Sequence, residues 1–380
     1  MENNKIGIIT YHKFNNCGSM LQAYALQRYL ELSGYDAEII NYIIKDNKEN
    51  KISIINNRIK RFLLSKKRKT MIFKMKHSEL IKKHKESFEK FYNNYIKLGD
   101  KLYNTEEELK KDLPRYDVYM VGSDQMWNPY IKIRSDAFYL SFVPEKLKKV
   151  SYAPSIGGNV ISEKYQMQMK KYLQKFDFLS CRDKKGCEIL SKLLKREVTH
   201  VVDPTLLLDE NEWKKIESKV EEVEENFILC YFLGNKKENI DFANKLGKEK
   251  NCKVYYIYTL ANDIIDGNEY LFNVGPQEFI WLIRHAKYVC TDSFHGTIFS
   301  INFNKNFYAF TKRKDGEGSD NNRIYGILQE FNLENRLMNN GPHYEIKEIN
   351  DIEYTEIVPI LNEKIERSKE YLSKALKWKE

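Results

Sequence analysis

The sequence predicts an α/β protein with two doubly wound domains, and three observations support this prediction. The chain has 380 residues, whereas a single hydrophobic core usually stops growing at about 250 to 300 residues. Apolar, strand-like runs alternate with small polar turns and helical patterns, which is typical of mainly parallel sheets. Hydrophobic residues make up 42% of the chain. The sequence contains no run of about 18 apolar residues, so it predicts no transmembrane span.

The first strand and helix come from the amino-terminal residues. The run I-G-I-I-T leads through a polar turn into a helical pattern, and Gly34 is placed to end this helix before a strand around residues 37 to 40. The predicted apolar face of the helix carries Leu21, Tyr24, Ala25, Tyr29 and Leu32. A basic section from about 48 to 112 follows, and we expect it to be a helical insertion in the first domain.

The remaining strands divide into two series. D-V-Y-M-V, K-V-S-Y, F-D-F-L-S-C and V-T-H-V-V complete a first domain at residues 1 to 208. After an acidic helical connector near 209 to 225, the runs F-I-L-C-Y-F, K-V-Y-Y-I-Y, K-Y-V-C-T and N-F-Y-A-F predict a second domain at 226 to 345. A final helix, about 354 to 378, is expected to pack back on the first domain. Ligands of such sheets bind at the carboxyl ends of the strands.

The net charge of +9 is concentrated in one segment. Residues 58 to 90 contain thirteen Lys and Arg against three Glu, so the rest of the chain is nearly neutral. Apolar residues recur there at close to helical spacing, which favours helices with a solvated basic face. The alternative is peripheral association with an anionic membrane surface. No recognised nucleic-acid-binding motif accompanies the charge, so we expect no nucleic-acid partner.

The expected compartment is the cytoplasm, at the inner face of the membrane if the basic segment binds lipid. The first residues, M-E-N-N-K, lack the pattern of a signal peptide. The six cysteines include no C-x-x-C pair and no Cys/His set at zinc-ligand spacing, which predicts reduced thiols and no structural zinc. No serine-protease, kinase or H-E-x-x-H motif is present.

The first candidate site is T-D-S-F-H-G-T, which interrupts apolar sequence. We interpret it as the turn between a strand and a helix, where free N–H groups can hold a phosphate or carboxylate. His295 could transfer a proton to that ligand, and Ser293, Gly296 and Thr297 would contact it. The alternative is that Asp292 or Ser293 only caps the helix and that His295 is an ordinary buried side chain.

Other polar turns hold further candidates. In V-G-S-D-Q-M-W-N-P, Asp124 could hold sugar hydroxyls or a proton, with Trp127 as a flat apolar surface nearby, although Asp is also an ordinary turn former. In S-C-R-D, Arg182 suits planar recognition of a carboxylate or phosphate, and Asp183 can cap the next helix. An arginine at a strand end is, however, more often simply exposed. Arg323 ends a polar loop, residues 315 to 323, that could close over a site.

The N-N-C-G-S turn before the first helix contributes Asn16 and Gly18. It lacks the glycine patterns of dinucleotide and P-loop sites, which favours a tight turn into the helix. Because the turn lies at the same sheet edge, we also count Asn16 and Gly18 among the candidate substrate-binding residues.

Six short motifs, in this order, resemble the polysaccharide pyruvyl transferase family. They are N-x-G-x-x-L-Q-A-Y-A-L (16 to 26), G-S-D-Q-x-W (122 to 127), S-Y-A-P-S-I-G (151 to 157), S-x-R-D (180 to 183), V-x-D-P-T (201 to 205) and D-S-F-H-G-T (292 to 297). The resemblance spans nearly the whole chain. It implies two Rossmann-like domains in a GT-B-like arrangement, with the site in the cleft between them.

The resemblance also implies an activity. A member of this family transfers a pyruvyl group from phosphoenolpyruvate to two hydroxyls of a sugar as a ketal, releases phosphate, and acts in cell-surface polysaccharide biosynthesis. The implied partners are a sugar or lipid-linked oligosaccharide acceptor and phosphoenolpyruvate as co-substrate, with no metal or organic cofactor. By family position, His295 is the acid/base histidine, Arg182 binds the donor, and Asp124 lies near the acceptor.

The histidine motif departs from the family pattern. Many members carry Arg-Leu-His or Arg-Met-His, whereas Ser293 stands two positions before the histidine here. Losing a charge-assisted hydrogen bond to a buried anion costs roughly 1.5 to 3 kcal/mol. We therefore expect Arg323, or a lysine such as Lys312 or Lys314, to supply the charge, unless the donor differs.

Two other functions fit the same sequence. One is a glycosyltransferase that uses a nucleotide sugar, because fold does not decide the donor. The other is a non-catalytic glycan-binding protein of a surface-polysaccharide assembly, which the missing arginine makes conceivable. Phosphate release from phosphoenolpyruvate, nucleotide release, or acceptor binding without a product would distinguish the three. The acceptor sugar, the bridged hydroxyl pair and the oligomeric state stay open.

Overall fold

Two parallel β-sheets organise the chain. The computed structural model describes residues 4–44, 77–131, 133–158, 160–234, 237–259, 267–312, 321–338 and 350–377. The first sheet contains β1 (Lys5–Ile9), β2 (Asp36–Ile39), β3 (Val118–Val121) and β4 (Lys148–Ser151), in the order β2-β1-β3-β4. Two short parallel strands, β5 (Ser180–Cys181) and β6 (Thr199–His200), pair beside it. Helices α1 to α5 belong to this part of the chain: Cys17–Leu32, Ser78–Tyr95, Glu106–Lys111, Glu163–Leu173 and Lys184–Leu194.

The second sheet has six strands, all of them parallel. They are β7 (Phe227–Tyr231), β8 (Lys253–Ile257), β9 (Glu269–Leu271), β10 (Tyr288–Thr291), β11 (Asn306–Phe310) and β12 (Leu337–Met338), in the order β12-β11-β10-β7-β8-β9. Helix α6 (Glu210–Lys214) precedes this sheet. Helices α7 to α10, Lys237–Lys250, Pro276–His285, Phe294–Asn302 and Asn321–Glu330, accompany it. The predicted strands of both domains are present, whereas the short strands β9 and β12 were not predicted.

Helix α1 ends where the sequence predicts, and it begins at Cys17, within the N-N-C-G-S turn that was expected to precede it. Asn16 is its N-cap, and the Asn16 side chain accepts a hydrogen bond from the Ser19 amide. Gly34 follows the helix with φ +87°, a conformation that glycine adopts without strain. The predicted apolar face is correct for Leu21, Tyr24 and Ala25, which are buried. It is wrong at Leu32, which is exposed because it lies in the last turn, beyond the packed part of the helix.

Helix α2 is the described part of the basic section. Its apolar side chains Ile81, Phe88 and Phe91 are buried, while Lys82, Lys83, Lys85 and Lys90 on the other face are exposed. This confirms the predicted helix with a solvated basic face for residues 78–95. Residues 58–76 lie outside the described residues, so association of the basic segment with a membrane stays a prediction. None of the described helices combines the length and apolar character needed to cross a membrane.

The two sheets share one hydrophobic core. Buried residues of β1, α1 and α2 and buried residues of β7, α8 and α9 belong to one continuous cluster. A row of aromatic rings crosses the boundary: Tyr24 contacts Trp213 (5.9 Å between ring centroids), and Trp213 contacts Phe299 (5.0 Å). Apolar contact of this kind fixes the carboxyl edges of the two sheets opposite each other.

The last helix, α11 (Tyr354–Leu376), contacts both halves of the chain. At its start the Tyr354 hydroxyl donates to the Lys305 carbonyl (2.6 Å) in the second half. Near its end the Tyr371 hydroxyl donates to the Ser151 carbonyl (2.8 Å), and Ser368 Oγ accepts from the Val202 amide (2.9 Å) in the first half. The helix therefore ties the second sheet to the first.

Candidate active site

Five charged or titratable side chains from the two halves of the chain meet between the sheets. Asp124, Arg182 and Asp203 come from the first half, and His295 and Arg323 come from the second. All five are buried, with at most 8% of any residue exposed. We call this set the charged cluster.

The first half of the charged cluster is held together by Arg182. Its Nη1 donates to Asp203 Oδ2, and its Nη2 donates to Asp124 Oδ1 (3.4 Å). The second half joins through two longer contacts. His295 Nε2 lies 3.7 Å from Asp203 Oδ2, and Arg323 Nη1 lies 3.9 Å from Asp124 Oδ1.

Asp124 occupies an unusual backbone position after β3. Gly122 precedes it with φ +133°, and a Cβ atom at Gly122 would lie only 1.8 Å from the Tyr152 carbonyl oxygen. Asp124 itself has φ +68°, in the left-handed region that costs energy for a residue with a side chain. Ser19 Oγ, at the start of α1, donates to Asp124 Oδ2 (3.1 Å). The tight turn therefore directs this carboxylate toward α1 and Arg182.

Asp203 is the main acceptor of the charged cluster, although the sequence assigned it no role. Besides Arg182, it accepts hydrogen bonds from Ser123 Oγ (3.3 Å) and from the amide (3.0 Å) and hydroxyl (2.8 Å) of Thr205. The available signal was its position: V-V-D-P-T is a polar turn directly after an apolar run, like the turns that were singled out.

Phe294 places an aromatic ring beside both arginines. The guanidinium carbon of Arg182 lies 4.1 Å from the ring centroid, and that of Arg323 lies 5.5 Å from it. Such cation–π contacts contribute about 0.5 to 2 kcal/mol and favour a fixed guanidinium orientation. The residue between Ser293 and His295 therefore helps to hold two positive charges next to the histidine.

His295 is packed against the start of helix α1. A Cβ atom at Gly18 would lie 2.2 Å from His295 Nδ1, so only glycine leaves room for the imidazole at this contact. The other ring nitrogen, Nε2, is buried and has no hydrogen-bond partner among the described residues. Nε2 is therefore the ring nitrogen without a hydrogen bond, while Nδ1 faces Gly18. The histidine therefore lies among charged side chains rather than inside hydrocarbon.

Burial and charge act against each other in the charged cluster. Burial alone would raise the pKa of Asp124, but Arg182, His295 and Arg323 outweigh it and hold that pKa below its usual value. Burial also opposes ionisation of Asp203, whose pKa is nevertheless held well below its usual value by Arg182 and His295. Conversely, burial would lower the pKa of Arg182, but Asp203 and Asp124 raise it. At neutral pH two carboxylates therefore balance two guanidiniums.

An interdomain cleft of about 740 Å³ opens beside the charged cluster. Arg182, Asp203, Phe294 and Arg323 line it together with Tyr325 of α10. The cleft is large enough for a small anionic ligand and part of a sugar. Among the described residues no group of three His, Cys, Asp or Glu side chains is placed to hold a metal ion.

Several residues predicted to contact substrate have other partners. Trp127 is completely buried, and its indole nitrogen donates to the Phe138 carbonyl (3.1 Å), so its prediction as a binding surface is wrong. Thr297 is also completely buried, with its hydroxyl donating to the Ser293 carbonyl (3.1 Å), so it offers nothing to a ligand. Both side chains satisfy packing and hydrogen bonding inside the protein.

The start of α9 is capped by its own residues. Ser293 Oγ accepts a hydrogen bond from the Gly296 amide (3.4 Å), which is the capping alternative considered from the sequence. Ser293 and Gly296, which were both predicted to contact a ligand, are therefore hydrogen-bonded to each other. Asp292 does not cap the helix, because its carboxylate accepts from the amides of Leu233 (2.6 Å) and Gly234 (2.7 Å) at the end of β7.

Asn16, Gly18 and Asp183 also have roles within the protein. Asn16 caps α1, and Gly18 makes room for His295, so neither needs a ligand to explain it. Asp183 was expected to cap α5, but its side chain makes no capping hydrogen bond. Instead its carboxylate accepts from Ser155 Oγ (2.6 Å) and the Ile156 amide (3.0 Å), which fastens the loop after β4.

Among the cations proposed to replace the missing arginine, Arg323 reaches the charged cluster. When the Gln125 side-chain amide is oriented so that its oxygen faces Arg323, that oxygen accepts a hydrogen bond from Arg323 Nη2 (2.9 Å). Lys312 follows β11, and its amide donates to Asn321 Oδ1 (3.0 Å). Lys314 lies outside the described residues.

Comparison with known proteins extends these observations. The sequence model of polysaccharide pyruvyl transferases matches residues 16–311, which confirms the resemblance carried by the six motifs. None of the curated proteins matches the chain significantly. The UDP-N-acetylglucosamine 2-epimerase from Rickettsia bellii is similar in structure, with a TM-score of 0.50, 11% identity, and coverage of 98% of this chain and 96% of that one.

A second solved structure, the UDP-GlcNAc 2-epimerase from Methanocaldococcus jannaschii, gives a TM-score of 0.45 at 13% identity, covering 99% of this chain and 94% of that one. At such low identity, the likeness to the Rickettsia bellii enzyme concerns the fold alone. Together with the two parallel sheets, it confirms the predicted pair of Rossmann-like domains in a GT-B-like arrangement.

Proposed function

The chain belongs to the polysaccharide pyruvyl transferase family, and we propose that it transfers a pyruvyl group from phosphoenolpyruvate to two hydroxyls of a sugar as a ketal. The product would be a pyruvylated unit of a cell-surface polysaccharide. The observation that supports this proposal is His295 Nε2, which is buried without a hydrogen bond 3.7 Å from Asp203, in a cluster whose Arg182 and Arg323 line the interdomain cleft. A proton donor next to cationic groups suits a substrate that is both anionic and an enol phosphate ester.

The donor would bind with its negative charges toward Arg182 and Arg323. Phosphoenolpyruvate carries a carboxylate and a phosphate, and a guanidinium binds either group through paired hydrogen bonds. The charged cluster is electrically balanced without a ligand, because Asp124 and Asp203 offset the two arginines. In the proposed reaction, His295 Nε2 carries the proton that is transferred to the donor.

Proton transfer to the methylene carbon of phosphoenolpyruvate would start the reaction. His295 donates the proton from Nε2, and a methyl group forms while the neighbouring carbon becomes cation-like. The first sugar hydroxyl oxygen bonds to that carbon, and its proton returns the imidazole to the protonated form. Asp203, 3.7 Å from Nε2, stabilises the imidazolium whenever it is present.

Loss of phosphate and ring closure would complete the ketal. The bond between the central carbon and the phosphate oxygen breaks, and the sugar oxygen already attached stabilises the positive charge. The second hydroxyl then bonds to the same carbon, and its proton leaves with the phosphate as hydrogen phosphate. Asp124 is ionised at neutral pH, so it can accept a hydrogen bond from a sugar hydroxyl and orient it.

Arg323 is the cation that we propose in place of the family arginine. Ser293, at the position where many members carry arginine, is buried and occupied in capping α9. Arg323 comes from α10 instead, and its guanidinium lies over the Phe294 ring near Asp124. A positive charge thus reaches the neighbourhood of His295 from a different element.

The decisive experiment incubates the purified protein with phosphoenolpyruvate and glycan acceptors prepared from the producing organism. We expect acceptor-dependent phosphate release and a new methyl signal of a pyruvyl ketal by NMR. Deletion of the gene should remove pyruvyl ketals from surface glycans analysed by mass spectrometry. Nucleotide release from a sugar nucleotide would favour a glycosyltransferase instead, and acceptor binding without any product would favour a glycan-binding protein.

A further inference from the structure

Exposed apolar side chains occur at the carboxyl edge of the first sheet. Phe14 follows β1, Tyr130 follows β3 and Val160 follows β4, and their exposed fractions are 38%, 39% and 62%. A single exposed apolar side chain is ordinary, whereas several on one edge of a sheet indicate contact with another molecule. Ligands of parallel sheets bind at the carboxyl edge, which is where these side chains lie.

Tyr130 is held in a defined orientation although it is exposed. Its amide donates to Asn128 Oδ1 (2.9 Å), and its hydroxyl donates to the Val160 carbonyl (3.3 Å) in the neighbouring loop. The ring of Tyr165 packs edge-on against it, with 6.0 Å between ring centroids. An aromatic side chain fixed on three sides loses little further freedom when a ligand packs on it.

Arg134 braces the same group of side chains. Its guanidinium lies 5.5 Å from the Tyr165 ring centroid and donates both to the Tyr165 hydroxyl and to the Pro129 carbonyl (2.6 Å). On the other side of the loop, the Tyr11 hydroxyl donates to the Ile133 carbonyl (2.7 Å). Phe14 packs on Tyr11, so aromatic rings border the loop on both sides. We call Phe14, Tyr130 and Tyr165 the aromatic rim.

The aromatic rim is continuous with the charged cluster. The loop that carries Tyr130 begins at Asp124, and Gln125 in the same loop contacts Arg323. Gly157 has φ +73° and lies so close to Asn128 that a Cβ atom there would be 2.0 Å from its side-chain nitrogen. The next residue, Gly158, lines the interdomain cleft. Two short stretches of chain therefore connect the rim with the cleft.

We propose that the aromatic rim binds the carbohydrate acceptor, with Tyr130 as the main contact for a sugar ring next to the one that is pyruvylated. The C–H face of a sugar packs on an aromatic ring, while its hydroxyls bond to phenol, amide and guanidinium groups at the ring edge. Tyr130 offers the ring and the phenol, and the neighbouring Arg134, which is also exposed, offers the guanidinium. The proposal rests on the proposed function, because it names where the acceptor of that reaction binds.

The test measures glycan binding separately from turnover. Wild-type protein is applied to an immobilised array of oligosaccharides with hexose, N-acetylhexosamine and uronic acid termini, and the best-bound glycan is then titrated calorimetrically. We expect Tyr130→Ala to weaken that binding about tenfold or more, as loss of an aromatic contact does. Tyr130→Phe keeps the ring and should bind within about threefold of wild type. Leu102→Ala, at another exposed apolar residue, serves as the matched control.

In the pyruvylation assay, Tyr130→Ala should raise the KM for the glycan about tenfold and leave the KM for phosphoenolpyruvate unchanged. A loss of glycan binding in a protein that releases no phosphate would support the rim while overturning the proposed reaction. Equal glycan affinity of wild type and Tyr130→Ala, or no array binding by wild type, would overturn the rim. The rim proposal would also be overturned if the protein bound vesicles of anionic phospholipid through Tyr130 and bound no glycan.

Discussion

His295 illustrates how single residues determine the candidate site. One ring nitrogen is covered by Gly18, and the other lies 3.7 Å from Asp203 at the edge of two guanidiniums. This geometry leaves one position for a transferable proton. It also explains why a glycine stands at the start of α1, where a larger residue would be expected to help the helix.

Replacing His295 with Ala should reduce kcat by roughly 10²- to 10⁴-fold, because proton delivery to the donor is lost. The KM for phosphoenolpyruvate should change much less, since Arg182 and Arg323 remain. Phosphate release measures both parameters. His285→Ala, an exposed histidine of α8, is the control and should behave like wild type. Unchanged turnover in His295→Ala would remove this residue from the mechanism.

Replacing Gly18 with Ala should displace the imidazole, because the added Cβ would lie 2.2 Å from His295 Nδ1. A shift of about 1 Å in a catalytic group can cost about 100-fold in rate, so we expect a large fall in kcat. NMR signals of the His295 ring should move as well. Leu32→Ala, at an exposed side chain in the last turn of the same helix, is the control. Equal kcat values for the two variants would contradict the positioning role of Gly18.

At the scale of elements, the start of helix α9 positions the histidine, whereas the final helix α11 connects the two halves of the chain. Helix α9 is capped by Ser293, so its start orients His295 rather than presenting an open anion site. Helix α11 contributes to closure of the molecule, since it bonds to β4 near its end and to the loop before β11 near its beginning. Its buried residues Leu372, Ala375 and Leu376 pack into the shared core.

Truncating Leu372 to Ala should lower the free energy of unfolding by about 2 to 5 kcal/mol, because the side chain is almost fully buried and leaves a cavity. Urea denaturation followed by tryptophan fluorescence measures the change. Met167→Ala, at a side chain that is 70% exposed, should change the same quantity by less than about 0.5 kcal/mol. A similar small effect in Leu372→Ala would show that α11 is dispensable for the fold.

At the scale of the whole molecule, the charged cluster joins the two halves of the chain. Apolar contacts through Tyr24, Trp213 and Phe299 bring the sheets together, and the cluster then places opposite charges across the boundary. Buried charges are stable only when each has a partner. The active-site geometry and the stability of the closed molecule therefore depend on the same residues.

The difference in stability between wild type and Asp203→Asn should therefore change with pH. The pKa of Asp203 is lower in the folded protein than in the unfolded chain, where it is about 3.9. Ionised Asp203 therefore stabilises the fold fully above the unfolded pKa, and the stabilisation is lost as the pH falls from there through the lower folded pKa. The variant should be about 3 kcal/mol less stable at pH 7, and the difference should shrink between about pH 5 and pH 2.

Denaturation midpoints at a series of pH values measure this difference, with the exposed Asp241→Asn as the control. A constant difference between wild type and Asp203→Asn across the acid range would contradict the predicted linkage. If Asp203→Asn does not fold at pH 7, the destabilisation is larger than predicted but has the expected sign.

The amino-acid sequence by itself determined the α/β class, the succession of the main strands along the chain, the glycine that ends the first helix and the polar turns that hold His295, Arg182 and Asp124. These follow from local periodicity and turn chemistry, which neighbouring residues determine. The family resemblance also followed from the sequence, because its motifs are short and contiguous. The short strands β9 and β12 carry too few residues to give such a pattern.

Only the tertiary structure decided which of these residues meet. It buried Trp127 and Thr297, brought Asp203 to His295, placed both arginines beside Phe294 and pressed Gly18 against the imidazole. Each of these outcomes depends on contacts between segments that are far apart in the chain. Such contacts are selected by packing of the shared core and by the cost of leaving buried charges unpaired, and neither is a property of a local stretch of sequence.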